Sequence, residues 1–210
     1  KTFILTGGSW GSALALFYGL AHPKRVAGMV LNGIWTCSKA ENDWVDKGGF
    51  RTFHPEAWER YVQSVPPKYQ DDPSSYHFAR ILGEDADAAR TSAYAYANLE
   101  HAALKLDDRF TVDSLTEYDP SSIRTEVHYL ANQCFVSDRY ILDNAQKLVM
   151  PVWLVQGRQD MLCPPRNAYE LNRLLPNGHL IWATSGHKPE RESWNVQRLL
   201  LQQLSGKADR

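Results

Sequence analysis

Residues 1–21 read KTFILTGGSWGSALALFYGLA, and within them Gly7-Gly8-Ser9-Trp10-Gly11 decides how the rest is to be understood. Thr2 to Thr6 is a short apolar run of strand length, Gly7 and Gly8 break it, and Gly11 to Ala21 is a run of small residues and leucine of helical length. A G-x-S-x-G pattern between a strand and a helix makes a sharp turn. That turn leaves no room for a Cβ at Gly7 or Gly11 and projects the serine hydroxyl clear of the sheet. Ser9 is therefore a candidate nucleophile. The Trp10 N–H, at the positive end of the helix, is the candidate donor to the oxyanion that forms when Ser9 attacks a carbonyl. The plainer alternative is a Gly/Ser turn in which Ser9 only caps the helix.

Working outward, His22-Pro23 stops the helix and Val26 to Leu31 forms a second apolar strand. Strand, helix and strand in so few residues predict a right-handed parallel βαβ crossover. Near the other end, Pro151 to Gln156 and Leu180 to Ala183 read as strands separated by a helix from Arg166 to Leu175, and an amphipathic helix runs from about Glu192 to Leu204. Between these, the chain turns polar and aromatic. Helical stretches are predicted at Pro55 to Val65, Ala86 to Leu104 and Ser137 to Lys147, while Pro66-Pro67 and Asp71-Asp72-Pro73 read as loops. The expected organisation is an α/β core over residues 1–35, a helical insertion over 36–147, and the remainder of the core over 148–210.

A serine is a poor nucleophile unless a base takes its proton and a third group orients that base. Asp160 follows the strand Pro151 to Gln156 in the stretch Gly157-Arg158-Gln159-Asp160. His187 follows the strand Leu180 to Ala183 in Ser185-Gly186-His187. Both then lie on loops at the carboxyl ends of strands, where open α/β sheets carry their functional groups. Taken singly, a Gly-x-x-Asp is an ordinary turn and His187 an exposed loop histidine. Jointly, Ser9, Asp160 and His187 occur in the chain order Ser, Asp, His, each at a strand end.

Composition narrows the function by exclusion. With 23 basic and 24 acidic residues the net charge is -1, which offers no footprint for nucleic acid or an anionic membrane surface. Cys37, Cys134 and Cys163 are odd in number and lack ligand spacing. Neither a disulfide framework nor a metal site is expected, no cofactor is implied, and a reducing, cytoplasmic setting fits best. No apolar run approaches membrane-spanning length. Lys1 is not a methionine and an apolar strand begins at once, so a fragment is expected.

The blocks GGSWGSALAL, HPKRVAGMVLNGIW, GRQDMLCP and SGH resemble those of the proline iminopeptidases, a family of α/β-hydrolases with a helical cap. The resemblance implies a partial α/β-hydrolase fold, with parallel sheet and flanking helices, and a serine aminopeptidase that releases an amino-terminal proline through an acyl-enzyme. In AYANLEHAALKL and RTEVHYL it places on Glu100 and Glu126 the two cap carboxylates that hold the substrate's free α-ammonium. Without it, both would read as solvated surface charges. The family's earlier strands and its HGGPG-type loop, which completes the oxyanion hole, have no counterpart in these residues. The isolated chain is thus expected to be weak or inactive unless an upstream segment or a companion chain supplies them. Lys188-Pro189 also departs from the small and aromatic residues that usually follow the histidine. The competing readings are another α/β-hydrolase acting on esters or amides, and a non-catalytic fragment.

Overall fold

The structure is a computed structural model and describes residues 1–104 and 120–208. The chain divides into two compact units, one of residues 1–41 with 138–210 and the other of residues 42–137.

In the first unit, β1 (Phe3–Ser9) leads directly into α1 (Trp10–Ala21), and a short 3₁₀ turn at Pro23–Arg25 delivers β2 (Val26–Ile34). After the second unit come α7 (Tyr140–Asn144), β3 (Val152–Gly157), α8 (Pro165–Leu174), β4 (Gly178–Ala183) and α9 (Arg191–Ala208). All three strand pairings are parallel, in the order β1-β2-β3-β4, as the crossover pattern predicted. β2 is central. Its Met29, Val30, Leu31 and Ile34 are wholly buried, in keeping with a parallel strand covered on both faces. Val30, Val155 and Ala183 form a core cluster with Leu200 and Leu204 of α9, which is why the last helix is amphipathic.

Two strands run further than expected. Gly7 and Gly8 do not break β1, which continues through them to Ser9, and β2 continues past Leu31 to Ile34. The register explains the second extension. Gly8 pairs with Asn32 and Ser9 with Ile34, so Gly33 is skipped as an irregularity, at φ +51°. A glycine takes that conformation without penalty, and a bulge here re-aims the strand end.

The second unit holds the end of α2 (Lys39–Asp46, which begins in the first unit), then α3 (Pro55–Gln63), α4 (Pro73–Leu82), α5 (Ala86–His101) and α6 (Pro120–Ala131). It is helical, and no strand lies among its described residues. The loop expected at Asp71-Asp72-Pro73 holds for Asp71 and Asp72, but Pro73 already belongs to α4. Asp72 is the N-cap, its carboxylate accepting from Ser75 N at 3.3 Å, and Pro73 is the first helical residue, a position where its missing N–H costs nothing. α5 begins in the same way, with the Asp85 carboxylate accepting from Asp87 N and Ala88 N. Arg124 of α6 donates to the carbonyls of Ile81, Leu82 and Gly83 at 2.6, 2.8 and 3.1 Å, capping the end of α4. The stretch from Ser137 to Lys147 is a five-residue helix and a 3₁₀ turn rather than one helix.

Candidate active site

Ser9 sits at the turn between β1 and α1 with φ 55° and ψ -125°, a backbone conformation that non-glycine residues rarely adopt. What holds it there is local packing. A Cβ at Gly7 would lie 2.3 Å from the Gly11 carbonyl oxygen, so only glycine fits where the chain doubles back. The same test corrects the expectation at Gly11, where a Cβ would meet nothing within 4 Å. The tight contact is made by the Gly11 backbone, not by the space beside it. The wholly buried Ser12 completes the turn. Its hydroxyl donates to Ser9 O at 2.7 Å and accepts from Trp35 N at 3.1 Å, tying the elbow to the end of β2. Trp10 is the first residue of α1, so its N–H lies at the positive helix end, and its ring packs against Trp35 with centroids 5.2 Å apart.

Asp160 and His187 are brought together. His187 Nδ1 lies 3.1 Å from Asp160 Oδ2 and 3.2 Å from Oδ1, and the two residues are 8% and 2% exposed. The loops that carry them are joined through Arg158 N to Ala183 O at 2.8 Å and Gln159 N to Ser185 O at 3.1 Å. Oδ1 of Asp160 also accepts from Leu162 N and Cys163 N, at 3.1 and 2.8 Å, and Oδ2 accepts from Gln156 Nε2 at 3.0 Å. Four neighbouring donors close around this buried carboxylate and hold it in a single orientation. With Nδ1–H directed at that carboxylate, Nε2 of His187 is left as the acceptor nitrogen. The point where a Cβ on Gly33 would stand is 3.3 Å from Ser9 N and 3.0 Å from His187 Cε1. The imidazole and the serine backbone therefore flank the same bulge in β2.

Glu100 and Glu126 lie in the second unit, on α5 and α6. The reading of Glu100 as a solvated charge fails, because it is 7% exposed. Burial pushes its carboxyl well above the usual carboxylate range, and the charges of Glu126 and Asp46 push it further. It hydrogen-bonds the Glu126 carboxyl and the hydroxyl of the wholly buried Tyr96, one turn earlier on α5. Two carboxyls can bond to each other only when one holds a proton. A cation placed between them would relieve the repulsion and let that proton go.

Asp46, the last residue of α2, was not marked by any sequence signal, since one aspartate in a polar helix looks like a solvated surface charge. Its Oδ1 is buried and has no hydrogen-bond partner among the described residues. Burial raises its carboxyl from 3.8 to about 7, with Asp43, Asp72 and Glu126 adding to the rise and Lys47 opposing it. Between those limits the folded protein keeps a proton that the unfolded chain releases. Stability is therefore greatest below pH 4 on this account, falls as pH rises toward 7 and stays low above it. The cost reaches about 4 kcal/mol at most. Asp46→Asn is expected to raise the melting temperature at pH 8 and to flatten the decline between pH 5 and pH 8; an unchanged slope in thermal melts would show that Asp46 is not its source.

All three cysteines, Cys37, Cys134 and Cys163, are buried, and none of them is in a disulfide. Among the described residues no cluster of His, Cys, Asp and Glu is arranged to hold a metal ion, and no helix is long and apolar enough to cross a membrane.

A sequence profile of the alpha/beta hydrolase fold matches residues 1–189. A probable proline iminopeptidase from Leptolyngbya boryana is 34% identical over 183 residues, 83% of this chain and 56% of that protein. A proline iminopeptidase from Arabidopsis thaliana is 35% identical over 201 residues, 88% of this chain and 50% of its own length. The chain thus spans about half the length of these curated relatives. Among solved structures, an alpha/beta fold family hydrolase from Bacillus anthracis str. Sterne superposes with a TM-score of 0.58 at 16% identity, over 94% of this chain and 65% of that one. An acetylester hydrolase from Corynebacterium glutamicum gives 0.55 at 13% identity, over 96% and 61%. At such identities the structural likeness concerns the fold alone.

Proposed function

The chain belongs to the α/β-hydrolase family, and from that premise we propose that it is the Ser-Asp-His portion of a serine aminopeptidase that removes an amino-terminal proline from peptides. The observation that carries the hydrolase reading is the buried Asp160–His187 pair beside the bulge that also borders the strained Ser9. In this reading His187 Nε2 takes the Ser9 hydroxyl proton, and Oγ attacks the carbonyl carbon of the substrate's first residue. Charge develops on the carbonyl oxygen and is met by the Trp10 N–H. His187 then returns the proton to the leaving amine, and water, activated by the same imidazole, releases the proline from the acyl-enzyme.

The narrower reading, a peptidase that demands a free α-amine, rests on Glu100 and Glu126. Two carboxyls forced together by packing have a chemical purpose if a cation is to sit on them, since the ammonium supplies the charge that each otherwise lacks. A peptide with a blocked amino terminus brings no such charge and leaves the pair sharing a proton.

Glu100→Gln in the full-length protein is expected to lower kcat/KM for prolyl-naphthylamide roughly a hundredfold or more, because removing one partner of a buried charge pair costs about 3–5 kcal/mol. Hydrolysis of a small ester without an amine should change little. An equal loss on both substrates would point to a general hydrolase in which Glu100 is structural.

A further inference from the structure

Gln156 is the penultimate residue of β3 and is wholly buried. A primary amide in a strand core is a costly choice unless all its polar atoms are bonded, and here both ends are. Oε1 accepts from the backbone N–H of Ile34, at the end of β2, at 2.9 Å. Nε2 has two hydrogens and two good acceptors, Oδ2 of Asp160 at 3.0 Å and the carbonyl of Cys163 at 3.0 Å.

The partners lie on two segments, the end of β2 and the loop that carries Asp160, which the candidate mechanism needs in register. Ile34 is the residue that pairs with Ser9 across β1 and β2. Asp160 is the residue bonded to His187. One side chain, 122 residues from Ile34 in sequence, therefore links the strand end beside the nucleophile to the carboxylate behind the base. The other protein donors to Asp160 besides His187, the N–H groups of Leu162 and Cys163, belong to its own loop and orient the carboxylate only relative to that loop. Gln156 is the donor that refers it to the sheet.

We propose that Gln156 is a positioning residue. It holds the Asp160 carboxylate in register with the Ser9 end of β1 by way of Ile34, so that the imidazole of His187 is presented to the nucleophile. This rests on the reading of Ser9, Asp160 and His187 as one catalytic unit. Gln156 itself touches none of the reacting atoms.

Two substitutions separate positioning from packing. Gln156→Leu fills the space but makes none of the three bonds. Gln156→Glu is nearly isosteric and keeps an acceptor for Ile34 N–H, but it has one hydrogen when protonated and none when ionised. Its ionised form would set a second negative charge against Asp160. In the full-length protein, Gln156→Leu is expected to lower kcat for prolyl-naphthylamide roughly ten- to a hundredfold with KM little changed. Gln156→Glu should add a descending limb on the alkaline side of the kcat profile that neither the parent nor Gln156→Leu shows. A purely structural role would lower the melting temperature without giving the profile a new limb. If Ser9→Ala abolishes turnover while Gln156→Glu keeps the parental kcat and pH profile, the positioning role is refuted and the serine mechanism stands. If Ser9→Ala retains turnover, both readings fall. Should Gln156→Leu fail to fold, the isosteric variant alone decides the question.

Discussion

Ser9→Ala is expected to lower kcat for prolyl-naphthylamide roughly 10⁵- to 10⁶-fold in the full-length protein, with KM largely retained. The hydroxyl is the only group in the proposed unit able to form the acyl-enzyme, and neighbouring water lacks its placement at the strand end. The elbow conformation should survive the change. Its positive φ is imposed by the packing of Gly7 against Gly11 and by the Ser12 hydroxyl on Ser9 O, none of which uses the Ser9 side chain. Circular dichroism and the melting temperature should therefore match the parent. Turnover comparable to the parent's, in a folded protein free of contaminating peptidase, would end the serine mechanism.

Asp160→Asn should cost about 10⁴-fold in kcat, although the side chain changes by a single heavy atom. The reason lies in the census of donors around it. Nδ1 of His187, Nε2 of Gln156 and the N–H groups of Leu162 and Cys163 all approach the carboxylate oxygens, and all of them donate. An amide offers one oxygen to these four and turns two hydrogens toward groups that cannot accept them. If the amide nitrogen faces His187, the ring must present a bare Nδ1 and hold its proton on Nε2, where it cannot take one from Ser9. If the oxygen faces His187, the misfit passes to Gln156 or the loop amides, and the cost appears as lost stability instead. Kinetics and thermal melts together distinguish these two arrangements. A variant with parental kcat and melting temperature would mean that Asp160 neither orients the imidazole nor closes its own loop.

The two sets of candidate residues differ in how far a local reading could reach them. Ser9, Asp160 and His187 were legible because each stands just beyond an apolar run that is a strand. A parallel strand buried on both faces writes itself as an uninterrupted apolar stretch, and the loop after it is short. The insertion was harder. α4 was not predicted, and Asp71-Asp72-Pro73 at its start was read as a loop because Asp-Pro is a turn signal; the same pair is an N-cap followed by a proline at the first helical position, and the residues after it decide between the two. α6 was also missed. It packs on α4 and α5 and buries Ile123 and Val127, but so few apolar positions give a weak period.

By itself the sequence determined the strand-turn-helix at Ser9, the parallel crossover to β2, the strand ends that carry Asp160 and His187, and the helical character of the insertion. These follow from backbone sterics and from apolar periodicity, which act over a few residues at a time. Only the tertiary structure decided that Gln156 bridges Ile34 to Asp160, that Gly33 is a bulge beside both Ser9 and His187, that Glu100 is a buried acid and that Asp46 is a half-buried one whose Oδ1 is shut off from solvent. Each of those depends on groups from distant segments arriving at one place. The energy of burying a polar atom is set by what packing brings against it, and neighbours along the chain do not reveal that.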